Sequence, residues 1–202
     1  MADVSRSLPP CAVRPLADES GVAAIEFAFL APVALAFLSL AFAGGQGLSI
    51  YHKTVSTAHI ITDMVSRSPY TQDTTTANAE KLNAADLDSD LGLGQLTMYP
   101  NDASNLKVVM SELKLDTVAK TAKVIWSEGY NGGVALACNA TITLDNSYYT
   151  SGATYMLYGQ VSYTYQPLGV AFNLSPITFS STEVLTVRNA TQITVPGVQR
   201  QC

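Results

Sequence analysis

From Phe27 to Ala43 the chain carries no charge, and Ser39 is the single polar side chain in that stretch. Counted from Val22 to Ala43, the apolar run is 22 residues long. Wound as a helix at about 1.5 Å per residue, it spans roughly 33 Å, one bilayer core. Core helices of water-soluble domains rarely stay apolar on every face for this long. The run therefore predicts a helix that inserts into a membrane. Pro32 lies inside it, removing one backbone N–H and freeing the carbonyl of Ala28. Membrane helices tolerate this where neighbours satisfy the freed group. Gly44, Gly45 and Gly47 follow, a place where the helix can bend or leave the membrane.

The remaining length, out of 202 residues, suits one further domain. A net charge of −5 and the lack of any Lys/Arg cluster argue against a nucleic-acid partner. No catalytic or cofactor motif of the G-x-S-x-G, H-E-x-x-H, P-loop or G-x-G-x-x-G kind occurs, so neither an enzyme nor a cofactor is expected. His52 and His59 stand seven apart on a predicted helix with no Cys or His neighbour of ligand spacing, which points away from a metal. Asp86, Asp88 and Asp90 alternate as at the start of a calcium loop. Leu91 and Thr97 then occupy the positions where that loop needs glycine and a bidentate glutamate, so a solvated acidic loop is expected. Asn139, Asn173 and Asn189 each open an N-x-[ST] triplet, a pattern short enough to arise by chance.

The cysteines are Cys11, before the apolar run, and Cys138 and Cys202, after it. If the run crosses a membrane, Cys138 and Cys202 share a compartment without Cys11. A disulfide between them then requires that side to be oxidising; free thiols are the alternative.

Three readings fit the apolar segment. It can be a plain single-pass anchor. It can be a cleaved secretory signal, since Ala41-Phe42-Ala43 before Gly44 has the small-x-small form. Against that, Asp18 and Glu19 precede the run and Glu26 stands just inside it, where such signals carry positive charge. The third reading accounts for Glu26. The stretch "SGVAAIEFAFLAPVALAF" resembles the N-terminus of type IV pilin-like proteins, whose leader is cut after a glycine and whose fifth mature residue is glutamate. Here Gly21 precedes Val22, the fifth residue from Val22 is Glu26, and Phe27 follows. The serine before the glycine, "AAIEFA" and the later proline more particularly resemble TadE-like proteins of tight-adherence pili. "QVSYTYQPLGVAF" followed by "STEVLTVRN" is more loosely similar to the closing pattern of that family.

This resemblance implies a pseudopilin or minor pilin-like subunit of a Tad/Flp-type pilus. Its partners would be a prepilin peptidase, other pilins or pseudopilins, inner-membrane assembly proteins and membrane lipid. It would be a single-pass protein of a bacterial inner membrane, its C-terminal head periplasmic or carried into an extracellular pilus. Gly21 and Val22 would flank the cut, and Glu26 with Phe27 would serve assembly. An ionised carboxylate at a membrane-helix centre costs roughly 2.5–3.5 kcal/mol, less near an end, and persists when partnered. The new α-amine of Val22, about one turn away or on a neighbouring subunit, would be that partner. Charge alone does not orient the segment, because Arg6 and Arg14 before it balance Lys53 and Arg67 after it. The rival reading is an uncleaved single-pass envelope protein with a binding head.

The expected organisation is a leader over 1–21, a transmembrane helix over 22–47, an amphipathic continuation over 48–68 and a β-rich head over 69–202. In the continuation, Leu48, Tyr51, Val55, Ala58, Thr62 and Val65 recur at steps of three and four, widened by Ile61. This stripe is expected to bury against the head, ending at Ser68-Pro69. A polar linker leads to a short helix over 76–92 with Thr76 as its candidate cap. Strand-like runs follow at 95–99, 106–116, 121–127, 134–144, 154–166, 177–187 and 192–195, with Val161, Tyr163 and Tyr165 sharing one face. The fold class expected is α+β, a long N-terminal helix packed on an antiparallel sheet.

Overall fold

The computed structural model describes residues 20–67, 83–167, 175–188 and 192–202. Residues Met1–Phe42 and Ala43–Cys202 form separate units. One helix, α1 (Ser20–Arg67), contributes to both and contains Pro32. In the first unit its large apolar side chains are exposed on all sides, Phe27, Phe29, Phe37 and Phe42 among them.

The second unit is α+β. The helices α2 (Ala84–Gly92) and α3 (Gly94–Thr97) precede strands β1 (Leu106–Asp116), β2 (Thr121–Tyr130), β3 (Thr141–Ile142), β4 (Tyr155–Tyr165), β5 (Ile177–Thr186) and β6 (Arg200–Gln201). Among the described residues the sheet order is β3-β2-β1-β4-β5, with β6 also pairing β2, and every pairing is antiparallel. The Ala43–Arg67 part of α1 covers one face, where Ile50, Ala58, Ile61 and Val65 meet Val108, Met110, Trp126 and Leu157. Val161, Tyr163 and Tyr165 share that buried face, as their alternation predicts. A bulge between Glu112 and Leu113 shifts the β1–β2 register. Beyond it Leu113, Leu115 and Val124 build a second cluster with Met156 and Tyr149.

The buried stripe of α1 differs from the expected one. Gly47, Ile50, Thr54, Thr57, Ala58, Ile61, Thr62 and Val65 are buried, whereas Leu48, Tyr51 and Val55 are exposed. The threonines explain the rotation. Thr54 Oγ1 donates to the Ile50 carbonyl (2.9 Å), Thr57 to Lys53 (2.7 Å) and Thr62 to Ala58 (2.7 Å). With each hydroxyl satisfied inside the helix, the methyl groups pack as apolar surface. Small residues let the sheet come close. A β-carbon on Gly47 would already touch the Tyr165 ring at 3.6 Å, and the helix runs through Gly44, Gly45 and Gly47 without a break. A β-carbon on Gly159 of β4 would overlap Thr62 Oγ1 outright. Gly159→Ala is therefore expected to cost about 2–3 kcal/mol, by pushing α1 off the sheet. Denaturant unfolding of the two proteins checks this, and an unchanged midpoint would show that the contact yields freely.

Other expectations are corrected. Residues 95–99 form α3 and a turn rather than a strand, because Gly94 seats under Ile61 and Thr57 and the Thr57 and Thr97 hydroxyls bond each other. Of 134–144, Thr141–Ile142 alone is strand; Asn139 takes a positive φ of 58°, and Asn139 and Ala140 bond to Val124 individually. Residues 192–195 form no strand, because side chains bind their backbone. Asn83 caps α2 through a capping box with Asp86. Thr76, the expected cap, lies outside the described residues. Asp86, Asp88 and Asp90 sit in α2, inside the helix expected over 76–92, and not in an acidic loop.

Candidate functional site

Gly21, Val22, Glu26 and Phe27 occupy the first two turns of α1, and all four are exposed. The Gly21–Val22 bond lies in the opening turn, where backbone N–H groups have no intrahelical acceptor and the end frays at little cost. Val22 and Glu26 are four residues apart and so share one helix face, about 6 Å apart along the axis. An amine at residue 22 and the Glu26 carboxylate are thus within side-chain reach. Among the described residues, α1 is the one helix long and apolar enough to cross a membrane, and it lies near the N-terminus.

The histidines do not converge on a shared site. His59 Nδ1 lies 3.3 Å from Glu183 Oε1 at the exposed surface, and His52 is exposed beside Tyr51. No group of three potential metal ligands occurs among the described residues.

Two carboxylates are buried in the strands of the head. Glu112 is fully buried and Glu128 nearly so. Their positions were readable: Glu112 continues the inward alternation of Leu106, Val108 and Met110, and Glu128 shares parity with Trp126. Both bind the C-terminal segment 192–202. Glu112 Oε1 accepts the Ile193 N–H at 2.7 Å, while Trp126 Nε1 donates to the Ile193 carbonyl at 2.8 Å. Glu128 Oε2 accepts the Gln199 N–H at 2.6 Å. Burial pushes the Glu112 carboxyl up to about 7, against the lowering effect of its bonds from Ile193, Gln192 and Trp126. Glu128 is raised as well, first by burial, with the nearby Asp88 charge adding to it.

Between these clamps Ile193, Val195 and Val198 fill the core, and Cys202 closes the segment through a disulfide to Cys138, with Cα atoms 5.5 Å apart. The Cys202 N–H also donates to the Ile125 carbonyl at 2.9 Å. The segment is a strap sealing the β2 edge of the sheet. In comparisons with known proteins, no family model matches the chain, and neither a curated protein nor a solved structure does.

Proposed function

We propose that this protein is a TadE-like pseudopilin or minor pilin-like subunit for assembly of a Tad/Flp-type pilus, cut after Gly21 by a prepilin peptidase. The observation that carries this reading is the first unit. Its helix exposes apolar side chains on every face, and Gly21, Val22, Glu26 and Phe27 are grouped at its start. In this reading the helix sits in the bacterial inner membrane, with the head on the periplasmic side and open to incorporation in the fibre. The Cys138–Cys202 disulfide supports an oxidising compartment for the head. The role is assembly rather than catalysis. Glu26 meets the α-amine of Val22, its own or a neighbour's, and so sets the register of packed helices with Phe27 beside it. Other pilins, inner-membrane assembly proteins and lipid are the partners.

The test is the intact mass and N-terminal sequence of the protein from its native membrane. A chain starting at Val22 is expected, and Glu26→Ala should leave that start unchanged while abolishing pilus assembly. A chain starting at Met1 would replace this reading with an uncleaved anchor. A start near Gly44 would mean a secreted protein.

A further inference from the structure

We propose that the outer edge of β5, together with the flank of α1 above it, is a docking groove for an extended strand of another protein, with apolar side chains at alternate positions. The proposal goes beyond the pilin-like reading and rests on it in one respect, the exclusion of a second copy as occupant.

The edge comes first. β5 pairs β4 over an unbroken register from Ile177 to Thr186. Among the described residues no backbone group pairs with its other side. Sheet edges are normally blunted by lysine, proline, a bulge or shortness. Residues Ile177–Thr186 contain no Lys, Arg or Pro, and the β4–β5 register has no bulge. The opposite side of the sheet is treated differently, since β3, residues 139–140 and β6 all occupy the outer side of β2.

The wall of the groove is the unused half of the apolar stripe. Leu48, Tyr51 and Val55 are 58%, 44% and 38% exposed and lie at steps of three and four, on one flank. That flank overlooks β5: the Tyr51 ring meets Phe179 edge-on at 6.1 Å, and His59 on the same flank reaches Glu183. A row of open backbone N–H and C=O groups is matched by another extended chain, which is how strand addition binds. Its alternate side chains would rise under Leu48, Tyr51 and Val55, so those should be apolar. Glu183, the charged residue of β5, faces His59 Nδ1 at 3.3 Å on this flank.

A second copy paired antiparallel through β5 does not fit. α1 and β5 run in the same direction, with Gly47 by Phe179, His59 by Glu183 and Ser66 by Arg188. Two-fold antiparallel pairing of β5 with itself would set the Ala43 ends at opposite ends of the joint sheet. They could not then both meet one membrane.

The experiment uses the full chain in detergent micelles and a synthetic peptide alternating valine and threonine, capped by lysines. Hydrogen exchange across 177–186 is read with and without it. The alternating peptide should slow exchange in β5 by about tenfold or more. A control with prolines replacing alternate threonines should not. Val55→Asp, on an exposed position, should keep the melting curve and weaken peptide binding by about tenfold. Absence of β5 protection, protection confined to another strand, or β5 protection that rises with protein concentration as dimers form would each overturn the proposal. The measurement does not depend on N-terminal processing. A native chain starting at Met1 would end the pilin-like reading alone, and a peptide that leaves β5 unprotected would end the groove alone.

Discussion

Replacing Cys138 and Cys202 with serine, or reducing the bridge, is expected to destabilise the head by about 4 kcal/mol. The bridge spans 64 residues of sequence, and closing a loop of that size removes that much chain entropy from the unfolded state in the standard model. Four of the described strands, β3, β4, β5 and β6, lie within the loop. The folded state gives the same direction. Without the bond, the strap is held at its end by β6, two residues long, and by the Cys202 N–H. For a head of this size the melting temperature should fall by about 10 °C. Scanning calorimetry with and without reductant measures it. The double serine variant separates reduction from side effects of the reductant, because its transition should not move when reductant is added. A drop of less than about 1 kcal/mol would mean the unfolded chain is already held compact by other contacts.

The second large effect is a dependence of stability on pH that runs opposite to ordinary acid denaturation. The Glu112 carboxyl titrates at about 7 in the fold, against 4.5 for an ordinary glutamate. The folded state therefore binds this proton more tightly than the unfolded state. Its stabilising contribution is complete below pH 4.5 and is lost as pH rises through about 7. A shift of that size corresponds to about 3 kcal/mol. Comparison with Glu112→Gln isolates it, since the amide oxygen can still accept the Ile193 N–H and does not titrate. The stability difference between wild type and Glu112→Gln should move by about 3 kcal/mol in favour of wild type from pH 8 to pH 4.5. Glu128 titrates in the same direction. Below that range Asp102, Asp116 and Asp145, whose carboxyls are lowered by bonds from turn N–H groups, oppose the gain as they protonate. A difference that stays flat across the range would show that water reaches Glu112 and that its burial does not hold the proton.

The apolar run and the four long strands could be read directly along the chain. A run without charge has one low-energy environment, and among the strands the period of two is plainest in Tyr155–Tyr165, with its tyrosines and Val161. The motif of Gly21, Val22, Glu26 and Phe27 is likewise local, because its chemistry depends on spacing along one helix. The buried stripe of α1 was only half readable. Its apolar residues mark a face wider than one sheet covers, and the threonines that are buried count as polar until their hydroxyls are seen bonding within the helix.

What sequence alone determined, then, is every feature set by neighbours a few residues apart: the membrane-length helix, the strand periodicity and the grouping at residues 21–27. Tertiary structure decided the features that join distant residues. It put Gly159 under Thr62, the backbone of Ile193 on Glu112, and Cys202 against Cys138. It also left Leu48, Tyr51 and Val55 uncovered beside β5. The physical reason is that local sterics and patterning propose which face is apolar. Only the finite area of the partner layer decides how much of that face is buried and how much stays exposed.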